Sequence, residues 1–342
     1  MRSGRLRLAL LIGLGVVLAA LTAGGAWLFL LPAGQGNSEG YVYIAPETPS
    51  QELQTQVRYA VGLKYPALFR VASGVVGLDK HRQSGAFLLT GRMSMARILH
   101  RLMRGHPSDV QVVFRGGRTP ADCADQITRP LKTSSQELSA LLADSLYCAR
   151  FGLTPRTILT LFLPDTYRFY WDTSAHSIVE RFYKYHQRFW GEERRTLARA
   201  AGLTPVEVSV LASIVEEESA KPAEYPVIAG LYLNRLRKGM KLQADPTVKY
   251  AVGDFTLRRI TAEHTRVQSP YNTYQVTGLP PGPIRTPQQA TIDSVLHYTQ
   301  HNYIYMCARE DFSGYHRFTA SYAEHMQNAR RYQAALNARN IR

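Results

Sequence analysis

Cysteine is scarce in this chain and acidic side chains are outnumbered. Cys123, Cys148 and Cys307 are the only cysteines in 342 residues, and none forms a C-x-x-C pair. A structural zinc site and a thioredoxin-like redox site are therefore unsupported. No metal or organic cofactor motif is present, so neither is expected. No internal repeat occurs, which excludes solenoids and propellers. No low-complexity tract occurs either, which argues against an extended disordered chain. The 26 acidic residues face 41 basic ones, a net charge of +15. Such an excess points to an anionic surface or an acidic polymer as partner, or serves solubility alone.

What is present begins with an apolar run. Arg2, Arg5 and Arg7 precede Leu8–Leu31, 24 residues without a charge. About 20 residues span a hydrocarbon core. Trp27 suits an interfacial anchor, and Pro32-Ala33-Gly34 ends the run. With the arginines inside, the positive-inside rule places the rest of the chain outside the cytoplasm. The competing reading is a signal peptide cut near Thr22–Ala26. A signal core is typically only about 7–15 residues long, and this run continues past that point, which favours an uncleaved anchor. Both readings export the body of the protein, so nucleic acid is not an expected partner. Export also permits Cys123 and Cys148 to pair; buried free thiols are the other reading.

The expected fold class is α+β. Residues 1–33 read as cytoplasmic tip and transmembrane helix, and 34–40 as a linker. A small module covers 41–150 and a larger mixed α+β domain covers 151–342. In the module, Tyr41–Ile44, Gly85–Leu89 and Val110–Phe114 read as strands rich in β-formers. A helix opens at Met95 with Ser94 as cap, and another at Thr119-Pro120-Ala121-Asp122. In the domain, Leu161–Tyr167 reads as an apolar approach to a turn presenting Asp165 and Tyr167. Helices are expected over 177–190, 204–219, from Pro226 to Arg237, and over 321–338. Strands are expected over 303–306 and 315–318. The segments Leu242–Val248, Tyr271–Tyr274 and Gly278–Ile284 read as polar loops beside tyrosines. Aromatic faces and planar polar groups of this kind bind sugars.

The helix from Thr204 carries the chemistry. Thr204 is placed as N-cap, Pro205 as first helical residue and Glu207 as capping-box acid. The helix ends in Glu216-Glu217-Glu218-Ser219. At 3.6 residues per turn, Leu211, Ile214, Val215 and Glu218 share one face, while Glu216 and Glu217 point elsewhere. A carboxyl on an apolar face has its charged form disfavoured, and neighbouring acids and the helix dipole push the same way. A carboxyl kept protonated near neutral pH is what protonating a leaving-group oxygen requires. The plainer reading is a solvated helix end.

Six ordered segments resemble one family. They are Phe162–Tyr167, Ala212–Ser219, Leu233–Leu236, Met240–Val248 with Tyr250, Ser269–Tyr274 and Gly278–Ile284. Together they resemble the endolytic murein transglycosylases of the MltG (YceG-like) family over about residues 150–335. The small module resembles the family's LysM-like region more loosely. The resemblance implies a lyase that cleaves the MurNAc–GlcNAc β-1,4 bond within peptidoglycan strands and leaves 1,6-anhydro ends. It implies Glu218 as the catalytic acid, the same residue that helical phase selects. Asn234, Gln243, Asp245, Thr247, Tyr271, Asn272 and Thr273 become candidates for substrate binding, with Asp165 and His316 behind them. Peptidoglycan strands, the lipid bilayer through residues 8–31, and peptidoglycan synthases are the implied partners. Ser219 stands where many relatives carry Thr. Glu217 replaces a frequent Lys and is expected to push Glu218 further upward. The alternatives are a non-catalytic glycan-binding envelope protein, or a hydrolytic muramidase with Asp245 as second carboxylate.

Overall fold

The computed structural model describes residues 29–257 and 259–339, together with 15, 22 and 23. Most of the expected anchor, residues 8–31, lies outside the described residues. Among the described residues no single helix is long and apolar enough to cross a membrane. The chain divides into two units. The first holds residues 1–111, 130–132 and 168–173; the second holds 112–129, 133–167 and 174–342.

In the first unit β1 (Glu39–Ile44) is followed by α1 (Ser50–Val61), α2 (Pro66–Val75) and α3 (Leu78–His81). Then come β2 (Gly85–Thr90) and α4 (Met95–Arg104). β1 and β2 pair antiparallel, with Val42 opposite Phe87. Their alternate residues Val42, Ile44, Phe87 and Leu89 enter one core with Val57 of α1 and Leu99 of α4. α4 starts where expected, because the Ser94 hydroxyl accepts the Arg97 N–H. α1 had no expectation attached, although Leu53, Val57 and Val61 bury one stripe of it.

The remaining elements follow in order. They begin with β3 (Asp109–Phe114), α5 (Pro120–Thr128), α6 (Ser135–Ala143), α7 (Ser145–Ala149) and β4 (Asp165–Tyr170). Next are α8 (Ala175–Phe189), α9 (Glu192–Ala201), α10 (Pro205–Glu218), α11 (Tyr225–Arg237) and α12 (Asp245–Val252). The chain closes with α13 (Gln289–Leu296), β5 (Tyr305–Ala308), β6 (His316–Thr319) and α14 (Tyr322–Ala338). β3 pairs with β4 and β5 with β6.

Residues 112–129 and 133–150 group with the second unit, whereas the sequence reading ended the small module at 150. Aromatic contacts explain the grouping of α7. Tyr147 meets His176 of α8 edge-on at 5.0 Å, and Phe151 lies 5.1 Å from Tyr183. Both Cys123 and Cys148 are buried free thiols, so they do not pair. Burial pushes the Cys123 thiol up to about 12, which leaves it unreactive.

α10 is the axis of the second unit. Every residue from Val208 to Val215 is buried. This helix packs against α11 and α13 through a core that includes Leu211, Ile214, Ile228, Leu231, Ile292 and Val295. Two expectations are corrected here. The supposed turn at Asp165 is the first residue of β4, entered from a 3₁₀ turn at Ile158–Leu161. The supposed loop at Asp245 is the start of α12, with Pro246 in its first turn and Gly253 closing it at φ 80°. The segment Gly278–Ile284 does remain irregular. Its Gly282 lies against the Arg156 carbonyl with no room for a Cβ, which accounts for glycine between two prolines.

Candidate active site

The local sequence of α10 produces the local structure. Thr204 and Glu207 exchange both capping-box hydrogen bonds, and Pro205 occupies the first turn. Two small polar residues interrupt the apolar run for a reason. The Ser213 hydroxyl donates to the Val210 carbonyl and accepts the Ile284 N–H at 3.1 Å. That bond ties the glycine–proline segment to the helix.

Helical phase sends the three terminal glutamates to different places. Glu216 accepts the Gln288 N–H and the Thr291 hydroxyl, both at 2.7 Å, which fixes the start of α13. Glu217 accepts from Arg118 at 2.7 Å and from Arg285 at 2.5 Å. Neither acid is a solvated helix end. The two arginines also overturn the expectation for Glu217. Its charge is answered on both sides, and it is not among the groups that push Glu218 upward.

Glu218 lies on the wall of a cavity of about 930 Å³, together with Asp245, Lys249, Arg259, Gln333 and Asn337. Protein closes around its carboxyl on most sides, and the residue keeps a partial opening to the cavity. Its pKa is raised from 4.5 to about 7, first by burial and then by the charge of Asp245. The Tyr232 hydroxyl of α11 donates to its Oε2 at 3.0 Å, and this bond opposes the rise, as do the charges of Arg235 and Lys249. The result is a carboxyl that exchanges its proton near neutral pH.

Asp245 is the other sequence candidate that the cavity contains. It accepts the Tyr274 hydroxyl at 2.7 Å. Burial, followed by this bond, pushes the Tyr274 phenol upward, so it stays a donor. The remaining candidates are engaged elsewhere. Asn234 donates to the His301 and Tyr303 carbonyls, tying the chain before β5 to α11. Thr247 and Thr273 are buried and share a hydroxyl–hydroxyl bond of 2.8 Å, while Thr273 also accepts the Ala244 N–H. Asn272 is buried, donating to the Thr265 and Val267 carbonyls and accepting the Tyr274 N–H. These bonds hold the 271–274 turn against the start of α12.

Gln243 is exposed with φ at 51°, and its N–H donates to the Thr273 carbonyl. Tyr271 packs on Tyr250 with ring centres 4.7 Å apart, and burial raises its pKa to about 12. Asp165 is held by Tyr185 and by the Thr166 N–H, which keep its carboxyl below the usual range. His316 belongs to a buried cluster beyond the helix end. Its Nδ1 and backbone N–H meet the two oxygens of Glu224 at 2.8 and 2.7 Å. Glu224 also accepts the Ser219 hydroxyl at 2.9 Å, which fixes the residue that follows Glu218.

Sequence reasoning missed Tyr232, Glu224, Arg118, Arg285 and the cations Lys249 and Arg259. Tyr232 carried a usable signal. It stands two residues before Asn234, in a helix whose packing against α10 its apolar content implies. Arg118 carried none, because 99 residues separate it from Glu217.

The raised pKa of Glu218 has a consequence for stability. With its folded value near 7 and its ordinary value at 4.5, the carboxyl contributes stability that is complete below pH 4.5. That contribution is lost as pH climbs through about 7. Glu218→Gln keeps an acceptor for Tyr232 but has no charge to bury. Its Tm is expected to gain on that of the wild type between pH 5 and pH 8 in calorimetry. A Tm difference that stays constant over this interval contradicts the assignment.

The comparisons with known proteins agree with one another. The model of the YceG-like family matches residues 42–331. The endolytic murein transglycosylase of Bacillus subtilis (strain 168) is 28% identical over 271 residues, covering 75% of this chain and 74% of that protein. The protein of the same name from Streptococcus pneumoniae (strain D39) is 26% identical over 338 residues. That alignment covers 88% of this chain but 61% of the streptococcal protein, so this chain spans about three-fifths of that relative's length. A crystal structure of a YceG-like protein from Listeria monocytogenes superposes with a TM-score of 0.55 at 24% identity, covering 85% of this chain and 98% of the other. That likeness is one of fold. The family match covers most of the chain, and the chain belongs to the YceG-like family.

Proposed function

We propose that this chain is an endolytic murein transglycosylase that cuts the MurNAc–GlcNAc β-1,4 bond of peptidoglycan strands without water. The names of the bacillary and streptococcal relatives support the reaction class. One observation carries the reading to a residue: Glu218 opens onto a large cavity with its pKa raised to about 7 by burial. Near neutral pH such a carboxyl holds its proton in a large share of molecules, as the donating step requires, and it becomes the base once it has donated.

The proposed step balances with that one group. Protonated Glu218 donates to the glycosidic oxygen as the bond from that oxygen to the muramyl C1 breaks. The Glu218 carboxylate then takes the proton of the C6 hydroxyl, whose oxygen bonds to C1. The products are a 1,6-anhydro-muramyl end and a free 4-hydroxyl, and Glu218 regains its proton. Tyr232 steadies the carboxylate between the two transfers. Asp245, held by Tyr274, supplies negative charge for the positive charge that develops at C1. The second reading is hydrolysis, with Asp245 as the other carboxylate. Its place in the same cavity as Glu218 favours keeping that reading.

The cellular setting belongs to the same proposal. The apolar segment 8–31 anchors the chain once in the cytoplasmic membrane, with the N-terminus inside and the catalytic domain outside. A LysM-like module over residues 41–150 follows the anchor on the membrane-proximal side. There the enzyme cuts nascent strands beside the peptidoglycan synthases and limits their length. The uncharged 24-residue run after three arginines supports this placement.

Two experiments test the proposal. Full-length wild type and Glu218→Gln, purified in detergent, are incubated with peptidoglycan and the fragments weighed by mass spectrometry. Anhydro ends from the wild type, reduced at least a thousandfold in Glu218→Gln, are expected. Reducing ends would make the protein a hydrolase, and equal activity in the variant would remove Glu218 from the reaction. For topology, protease added to intact spheroplasts should degrade the domain, whereas full protection would place it in the cytoplasm.

A further inference from the structure

The cavity that holds Glu218 contains two cations that the reaction above does not use. Lys249, half-buried on α12, and Arg259, exposed in the segment after it, both line that cavity. Among the described residues neither forms an ion pair. Elsewhere in the second unit arginines are commonly matched, as Arg118 and Arg285 are with Glu217, Arg194 with Asp293 and Arg317 with Glu310. Glu217, Glu218 and Asp245 share this lining, but Glu217 is taken by its two arginines and Glu218 is raised toward its neutral form. Two cations on one partly enclosed wall therefore still attract an anion more strongly than the same charges in open solvent. The guanidinium fork of Arg259 suits a planar carboxylate in particular. Pro246 and Ile260 lie on the same lining and offer apolar surface. Gln333 and Asn337 of α14, joined by an amide–amide bond of 3.2 Å, also line the cavity and offer hydrogen-bonding groups. Sugar hydroxyls and acetamido groups require no cation, so an anionic group on the substrate is the better match for these two side chains.

We propose that Lys249 and Arg259 form a subsite for a carboxylate carried on the lactyl substituent of the muramyl residue at the cleavage point. The inference rests on the transglycosylase reading and makes its substrate a carboxylate-bearing strand. Two sources share this chemistry: a carboxylate of the attached peptide, or the lactyl carboxylate itself where the peptide is absent. Occupancy has a consequence for the acid. The Lys249 charge lowers the proton affinity of Glu218, and a carboxylate seated on Lys249 cancels that effect. Glu218 then holds its proton more firmly when the correct substrate is in place.

The test uses full-length wild type, Arg259→Gln and Arg259→Lys on three preparations of peptidoglycan. One is native, one has its carboxylates chemically amidated with the peptides kept, and one is stripped of peptide by an amidase. Amidation is expected to lower the wild-type kcat/KM about tenfold. Arg259→Gln, already slow on native strands, should show little further response to amidation, and Arg259→Lys should recover part of the difference. The amidation effect reports a peptide carboxylate, since the lactyl carboxyl is amide-linked while the peptide is kept. Stripped strands that stay fast for the wild type show that the freed lactyl carboxylate also fills the subsite; stripped strands that become slow restrict it to the peptide's. Wild-type enzyme that cuts amidated and native strands equally overturns the subsite. So does Arg259→Gln slowed by the same factor on both. Failure to form anhydro ends on native strands would instead reject the transglycosylase reading, so the two failures are distinguishable.

Discussion

Removing one carboxyl group from water is the physical event around which the second unit is arranged. Glu218 ends a helix whose middle, Val208 to Val215, is wholly buried, and burial of the carboxyl outweighs the one hydrogen bond and two cations that favour its charged form. A carboxylate in such a place destabilises the fold when it ionises. The surrounding structure offsets that with a large shared core and with the Tyr232 hydroxyl, which serves the carboxylate without fully rescuing it. Had Tyr232 been an arginine, the pair would have locked the charge in place and removed the acid.

The neighbouring glutamates make that isolation possible. Two further acids at the end of a helix would add repulsion to the cost of burial, yet each is consumed by a structural task. Glu216 receives α13, and Glu217 receives two arginines, one of them Arg118 from a distant part of the sequence. Beyond the helix, Glu224 gathers Ser219 and His316 so that the chain leaving Glu218 is held as firmly as the chain entering it. The three adjacent acids therefore have three different fates, decided by the 100° step between successive residues of a helix.

That step is also why the catalytic candidate was legible in the sequence. The capping box at Thr204, the apolar stripe and the singling out of Glu218 all depend on contacts within four residues, and local periodicity records those. The 271–274 turn and the segment before Asp245 were legible as unusual, but their purpose was not. Asn272, Thr273 and Thr247 have the side chains of a sugar-binding loop, yet they spend them on backbone groups. A polar side chain looks the same in sequence whether it faces substrate or a carbonyl. Arg118 and Arg285 were illegible for another reason. Each meets Glu217 across many tens of residues of chain, and no local pattern encodes such a meeting. The contacts of Tyr147 and Phe151 with α8 were illegible likewise, because these side chains reveal their partners only when folded.

The central claim is that Glu218 keeps its proton close to neutral pH. Difference infrared spectroscopy of wild type against Glu218→Gln measures this directly, through the protonated carboxyl stretch that the variant lacks. That band should persist well above pH 5 and fall by half near pH 7, following the raised value. A band lost by half near pH 4.5 would mean that the carboxyl is solvated and ordinary. Glu218 would then lack the proton that the first step of the proposed reaction needs at neutral pH.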